Sequence, residues 1–258
     1  MRVLMLGDVV GRPGRLALKN RLPALRHELE LDFVIANGEN ASGGIGINSK
    51  AMRELFEAGV DVVSSGNHIF KHKEIYSHLD SEPRILRPAN YPPGLPGKGV
   101  GIYEVKGRKL AVINLLGRHN LENVDCPFRR AEELLSALPE DVSIIFVDFH
   151  AETSSEKKAL PWFLDGKVSA VAGTHTHVQT NDSQILPQGT GTVTDLGMCG
   201  VEASILGLKP EVIVNRFLNQ LPAKFVLAEG KGWLCGALFT INEHKGECLG
   251  VELLREAV

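Results

Sequence analysis

The sequence predicts a domain of the α/β class, in which helices pack in layers against sheet. Short apolar runs alternate with helical patterns along the first half, and several strand patterns follow one another at the end of the chain. We find no internal repeat and no linker-like segment. The 258 residues, 43% of them hydrophobic, are enough for one full core. We therefore expect a single domain that covers residues 1–258.

The strands predicted in the first half are short apolar runs that each end in polar residues. They cover residues 3–6, 33–36 and 60–64. The helix after the first strand begins at Pro13, and Pro23 within it predicts a kink or a break because proline lacks a backbone N–H. Ser49 is expected to cap the helix after the second strand. This alternation is typical of α/β layers.

The second half begins with a predicted hairpin, whose two strands are joined by Lys106-Gly107-Arg108. Beyond it, strands are expected at residues 143–147, 168–172, 192–196, 224–228, 233–241 and 248–254, and helices at residues 128–138, 154–164 and 210–221. Apolar residues at helical spacing, among them Phe217, Leu218 and Leu221, are expected to lie in the core.

Charge and composition exclude several classes of protein. Lys and Arg number 28 against 31 Asp and Glu, so there is no basic surplus for a stable nucleic-acid complex or for docking on an acidic membrane. No apolar run reaches the roughly 18 residues of a membrane span. The four cysteines form no C-x-x-C pair, and the N-terminus does not resemble a signal peptide. We therefore expect a cytoplasmic protein with reduced thiols.

The most informative positions are the strand ends. Five predicted strands end in polar loops that carry side chains able to bind a metal, namely Asp8, Glu39, Asn40, Asn67, His68, His150, His175 and His177. Ligands of α/β sheets bind beyond the carboxyl ends of the strands. Each loop by itself is more often a turn, a helix start or a core histidine. Their recurrence at one structural position predicts a site instead.

The ligand types predict two metal ions. Carboxylate, amide and imidazole groups together suit a divalent ion, and favour iron or manganese while also allowing zinc. Eight donor residues exceed what one ion needs, and a carboxylate can bridge two ions about 3.5–4 Å apart. His175 and His177 are two residues apart, so in an extended segment they would point to the same side. Each could then address one of two neighbouring ions.

The blocks GDVVG, GEN, SSGNH, DFH and GTHTHVQT resemble the metal-binding blocks of the calcineurin-like metallophosphoesterases. The chain departs from the usual pattern in having Val10 in place of a histidine, Glu39 in place of an aspartate, and Ile69 in place of an acidic residue. With these departures the chain resembles the YmdB family of metallophosphoesterases, whose members act on 2′,3′-cyclic nucleotides. The similarity extends from Met1 to the last strands.

The resemblance implies a four-layer αββα sandwich of the metallo-dependent phosphatase type. It also implies that the first ion is held by Asp8, Glu39, Asn40 and His177, and the second by Glu39, Asn67, His150 and His175. Glu39 would bridge the two ions, and Asn40 would replace the histidine that the first block lacks. The implied activity is hydrolysis of a small 2′,3′-cyclic nucleotide to a nucleoside 3′-phosphate.

The expected mechanism needs an acid for the leaving oxygen. Two ions that share a water lower its pKa and supply a hydroxide nucleophile. His68 adjoins the expected ligand Asn67 and is not itself an expected ligand, so it is free to act as the general acid. Two other functions stay open. One is a phosphatase or nuclease of broader substrate range, and the other is a regulatory metal-binding protein that acts through partners. Assembly into a homo-oligomer is open as well.

Overall fold

The computed structural model describes residues 1–258, which form twelve strands and six helices. The strands are β1 (Arg2–Val9), β2 (Phe33–Asn37), β3 (Val62–Ser64), β4 (Val100–Val105), β5 (Arg108–Leu116), β6 (Val142–His150), β7 (Ala170–Thr174), β8 (Gln184–Ile185), β9 (Gly191–Val193), β10 (Met198–Val201), β11 (Gly232–Ile241) and β12 (Cys248–Ala257). The helices are α1 (Gly11–Glu28), α2 (Ser49–Glu57), α3 (Ile75–Ser81), α4 (Pro127–Ala137), α5 (Ser154–Phe163) and α6 (Pro210–Asn219).

The strands form two six-stranded sheets. The first has the order β12-β11-β10-β1-β2-β3, and the second has the order β4-β5-β6-β7-β9-β8. The strands β10, β1, β2 and β3 are parallel, as are β5, β6, β7 and β9. The late strands β11 and β12 join the first sheet in antiparallel fashion. The predicted alternation followed by antiparallel strands is thus confirmed.

The two sheets pack face to face, and helices cover both outer faces. Phe146 of β6 and Phe239 of β11 meet across the inner layer as an edge-to-face pair, with ring centroids 5.8 Å apart. The outer face of the first sheet packs against α1, α2 and α3. The outer face of the second sheet packs against α4 and α5. These layers confirm the four-layer αββα sandwich.

The structure corrects two expectations about the early helices. Helix α1 runs through Pro23, so the expected break is wrong and only a kink stays a prediction; Leu18, Leu22 and Leu25 are buried along one side, and their burial outweighs the missing hydrogen bond. Helix α2 is capped by Asn48 and not by Ser49. The side chain of Asn48 accepts a hydrogen bond from the backbone N–H of Ala51 at 2.8 Å.

The apolar stripe of α6 is not part of the core. Phe217, Leu218 and Leu221 are 75%, 78% and 63% exposed, and Ile213 is the buried residue of this helix. The strand expected at residues 224–228 is also wrong, since this segment makes only an isolated bridge between Leu227 and Leu208. None of the six helices combines the length and the apolar character that crossing a membrane requires.

Candidate functional site

The polar strand ends meet where the carboxyl ends of the two sheets come together. The strands β1, β2 and β3 of the first sheet lead to Asp8, to Glu39 and Asn40, and to Asn67 and His68. The strands β6 and β7 of the second sheet lead to His150, and to His175 and His177. Neither sheet contains the whole group, which the packing of the two sheets assembles.

Glu39 lies in the middle of this group and is fully buried. Its Oε1 atom is 3.1 Å from Nε2 of His150 and 3.2 Å from Nδ1 of His68. Its Oε2 atom accepts a hydrogen bond from the backbone N–H of His68 at 2.9 Å. A side chain at Gly66 would place its Cβ only 2.2 Å from the ring of His150 and 2.4 Å from Oε2 of Glu39. Glycine at this position therefore allows the carboxylate and the imidazole to meet.

His150, His175 and Glu39 form a cluster with the geometry of a metal site. One ligand atom from each lies within 4.8 Å of the others, and Nε2 of His150 is 3.0 Å from Nδ1 of His175. Nearby, the side-chain oxygen of Asn67 is buried and has no hydrogen-bond partner. A buried oxygen without a partner is costly, and a cation would satisfy it.

Hydrogen bonds behind the cluster orient the two imidazoles. The hydroxyl of Thr174 donates to Asp148 at 2.7 Å, so it accepts from Nδ1 of His150 at 2.9 Å. This leaves Nε2 of His150 for a proton or a cation. His175 is oriented in the same way, since its Nε2 is 3.0 Å from the carboxylate of Glu152 and its Nδ1 faces the cluster. A carboxylate or hydroxyl behind a ligating histidine is the usual arrangement at metal sites.

Asp8, Asn40 and His177 form a second cluster beside Glu39. The Oδ1 atom of Asp8 is buried without a hydrogen-bond partner and lies 3.8 Å from Nε2 of His177. The amide nitrogen of Asn40 is 3.1 Å from the same Nε2 atom, and its amide oxygen is 3.1 Å from Nδ1 of His68. His177 is held from behind, because its Nδ1 is 3.2 Å from the backbone oxygen of Leu206. The donor types fit a divalent ion here as well.

The segment that carries His175 and His177 is a turn and not an extended strand. The φ angles of these residues are 100° and 63°, in the left-handed region that non-glycine residues rarely adopt. The expectation of an extended segment is therefore wrong. Asp195 holds the turn by accepting hydrogen bonds from the backbone N–H and the hydroxyl of Thr176, and it is paired with the buried Lys157.

Burial and charge shift the pKa values of the buried groups in opposite directions. Burial raises the pKa of Asp8. Burial would also raise the pKa of Glu39, but His150 and His68 outweigh it and hold that pKa well below its usual range. Burial would lower the pKa of His150, but Glu39 and Asp8 outweigh it and raise it to about 9. Burial and the neighbouring His150 lower the pKa of His175 to about 3. Positive charge at the centre, from a proton or an ion, therefore stabilises these carboxylates.

Several residues of the site were not identified from the sequence. Asn37 is buried, and its side chain donates to Asp148 at 3.1 Å. Ser64 also donates to Asp148, the carboxylate that accepts from the hydroxyl of Thr174. Burial raises the pKa of Asp148 to about 6. Asn37, Ser64 and Asp148 could have been found as polar residues inside otherwise apolar strands. Glu152 lies in a loop, where the sequence has no such signal.

The two clusters open onto a cavity of about 390 Å³. No lysine or arginine lines it, so no side chain with a permanent positive charge offsets Glu39 or an anionic substrate there. The lining residues are Val10, Glu39, Asn40, Gly43, Gly44, Ile45, His68, Glu152, His175, Thr176, His177, Leu206, Leu208 and Phe225. The charge of a bound anion must then be balanced by ions or by histidines.

Known proteins are similar to this chain in sequence and in fold. A 2′,3′-cyclic-nucleotide 2′-phosphodiesterase of Bacillus subtilis (strain 168) is 46% identical over 252 residues, which are 98% of this chain and 96% of that protein. The crystal structure of a hypothetical protein from Thermus thermophilus has a TM-score of 0.94 and 43% identity, over 100% of this chain and 99% of that chain. A novel phosphatase from Mycoplasma pneumoniae has a TM-score of 0.93 and 32% identity, over 100% and 93% of the two chains.

More distant structures share the fold alone. The NAD nucleotidase of Haemophilus influenzae has a TM-score of 0.57 and 15% identity, over 100% of this chain and 56% of that chain.

The family model described as YmdB-like protein matches residues 4–254. With this match over nearly the whole length and with the site residues converged as described, the chain belongs to the YmdB-like family.

Proposed function

We propose that this protein hydrolyses 2′,3′-cyclic nucleotides to nucleoside 3′-phosphates at a centre of two divalent metal ions. The observation that carries the proposal is the 46% identity, over almost the whole chain, to a relative named for this activity. The converged donor atoms support it, because they provide the cation-binding groups that such chemistry needs. A small cyclic nucleotide is then the partner of this site.

The residues divide between two ions by their contacts. Asp8, Asn40 and His177 would hold the first ion, after the Asn40 amide turns to exchange its nitrogen for its oxygen. Asn67, His150 and His175 would hold the second. Glu39 lies between the two groups and would bridge them. The mixture of oxygen and nitrogen ligands favours iron or manganese, and zinc also accepts it.

Two divalent ions, when bound, lower the pKa of water and offset the growing negative charge on phosphate. No lysine or arginine lines the cavity, so the substrate phosphate would face His68 and the two ions there. Hydroxide adds to phosphorus, the bond from phosphorus to O2′ breaks, and O2′ must take a proton. The remaining phosphate stays on O3′, which gives a nucleoside 3′-phosphate.

His68 is placed to supply that proton. Its Nδ1 is 3.2 Å from Oε1 of Glu39, a contact that does not depend on which way the Asn40 amide faces. This contact keeps a hydrogen on Nδ1, while about a third of the side chain is exposed at the cavity. The other ring nitrogen, Nε2, is then free to give a proton to O2′.

A substrate panel tests the proposal. The protein, reconstituted with Mn²⁺ or Fe²⁺, is assayed on 2′,3′-cyclic AMP, 3′,5′-cyclic AMP, p-nitrophenyl phosphate and a short RNA. We expect the 2′,3′-cyclic nucleotide to react fastest and to give 3′-AMP. Glu39→Ala should abolish this reaction, and Glu57→Ala, at an exposed helix position, is the matched control. Preference for the monoester or the RNA, or release of 2′-AMP, would refute the proposal.

A further inference from the structure

The cavity has one aromatic side chain in its lining, Phe225, which follows α6 in the chain. It lines the cavity together with His68 and His177, and it is 47% exposed. A phenylalanine ring that stays accessible beside a reaction centre offers a flat apolar surface to a ligand. The catalytic groups of the proposed function leave this surface unused.

The backbone around Phe225 is firmly attached to the site. The backbone N–H of Lys209 donates to Val226 at 2.9 Å, and the N–H of Ala228 donates to Gly207 at 2.9 Å. Leu227 packs so closely on Gly11 that a Cβ there would lie 2.5 Å from it. The paired segment, residues 205–209, also holds His177 through the backbone oxygen of Leu206. The position of Phe225 is thereby fixed relative to the candidate ligands.

The ring itself is steadied from the side of α6. The guanidinium carbon of Arg216 lies 5.0 Å from the centroid of Phe225, a cation–π contact. The ring therefore keeps its orientation without a ligand, which lowers the entropy lost when a ligand binds against it.

The rest of the lining has few free polar side chains that could form hydrogen bonds with the edge of a base. The hydroxyl of Thr176 donates to Asp195 at 2.7 Å, and Glu152 is 3.0 Å from His175. The remaining polar side chains of the lining are the candidate ligands and His68, and the other lining residues are glycine or aliphatic. Recognition here then depends on stacking, which tolerates every base because each base has a π face.

We infer that Phe225 is the surface on which the nucleobase of the substrate stacks, an inference that rests on the proposed function. Phe225 is then a specificity-determining residue. It favours purines over pyrimidines through their larger area and treats adenine and guanine alike.

The test compares a substrate that has a base with one that lacks it. Metal-reconstituted wild type and Phe225→Ala are assayed on 2′,3′-cyclic AMP and on glycerol 1,2-cyclic phosphate, which has the same cyclic phosphate and no base. For 2′,3′-cyclic AMP we expect KM to rise roughly tenfold or more in the variant, with kcat almost unchanged. For glycerol 1,2-cyclic phosphate neither constant should change. Phe225→Trp should keep the wild-type KM.

Two further measurements separate stacking from a structural role. Phe217→Ala removes a phenylalanine of α6 that is 75% exposed and does not line the cavity. It should leave kcat and KM unchanged for both substrates. Calorimetry should show that Phe225→Ala weakens binding of adenosine 3′-phosphate and leaves binding of inorganic phosphate unchanged.

Equal loss on both substrates, or no change on either, would overturn the inference about Phe225 and leave the proposed function intact. A wild-type protein that hydrolyses no cyclic nucleotide would instead refute the proposed function. In that case the adenosine 3′-phosphate titration decides about Phe225 by itself.

Discussion

The Nε2 atom of His150 and the Nδ1 atom of His175 face each other at a distance of 3.0 Å. Each ring has its other nitrogen occupied, His150 by Thr174 and His175 by Glu152. Two facing imidazole nitrogens at this distance repel unless positive charge lies between them, and Glu39 adds a carboxylate oxygen 3.1 Å from His150. The contacts of Thr174 and Glu152 with the outer ring nitrogens therefore influence how tightly the two facing nitrogens bind an ion.

Removing the carboxylate behind His175 should therefore weaken metal binding without emptying the site. For Glu152→Ala we expect an affinity roughly tenfold lower, near the small end of such effects because Glu152 is half exposed. Equilibrium dialysis followed by elemental analysis measures the change, with Glu57→Ala as the control. An unchanged affinity would show that Glu152 does not orient His175.

Glu39 and His150 should differ in how many ions they control. Glu39 lies between both clusters, so Glu39→Ala should lose both ions and all activity. His150 belongs with His175 to the cluster that would hold the second ion, so His150→Ala should empty mainly that site. Metal content per chain, measured by elemental analysis after gel filtration, checks both. Full metal content in Glu39→Ala would rule out its bridging role.

His68→Ala should keep both ions, since the expected ligand atoms belong to other residues. Its rate on 2′,3′-cyclic AMP should fall roughly 10²–10⁴-fold, the usual contribution of a general acid. The loss should be much smaller on bis(p-nitrophenyl) phosphate, whose leaving group departs without a proton. Metal content is measured on the same samples, because a lost ion would imitate the effect. If both substrates slow equally, or if metal is lost, His68 serves binding and not proton transfer.

The carboxylate of Asp182 should make the free energy of unfolding depend on pH in the acid range. Burial would raise the pKa of Asp182, but hydrogen bonds from Lys158, Thr194 and Thr180 outweigh it and hold that pKa well below its usual range. A carboxyl group with a lowered folded-state pKa stabilises the fold above its unfolded pKa of about 3.9. That contribution is lost as the pH falls through the folded-state pKa.

Asp182→Asn should therefore lower Tm at neutral pH, and its difference from wild type should shrink as the pH falls below about 4. Thermal unfolding at several pH values, with both proteins in parallel, measures this difference. Groups at the metal site titrate alike in the two proteins, so they cancel. A difference that stays constant down to acid pH would contradict the charge-based explanation.

The strand ends were the part of the site that could be predicted from the sequence. Asp8 and His150 follow apolar runs, and the rule that ligands bind at the carboxyl ends of strands was enough to place them near one another. The rule does not say how many sheets contribute. That the ligands come from two sheets depends on face-to-face packing, which local patterns do not encode.

The failures have physical causes as well. The spacing of Phe217, Leu218 and Leu221 predicts an apolar helix face, but it shows neither that α6 ends before Leu221 nor whether another layer covers that face. The turn at His175 and His177 depends on the buried pair of Asp195 and Lys157, which are far away in the sequence. Contacts between distant segments, more than local preference, decided these positions.

The convergence of ligands from both sheets has a consequence for the chain as a whole. Ions bridged by Glu39 and held by Asp8 of the first sheet and His175 of the second would act as a removable cross-link between segments 167 residues apart. The unfolded chain cannot offer this site, so the free energy of binding adds to the free energy of unfolding. A hundredfold excess of ion over its Kd adds about 2.7 kcal/mol. The stability of the contact between the two sheets then depends on the concentration of metal ions in the surroundings as well as on the apolar core.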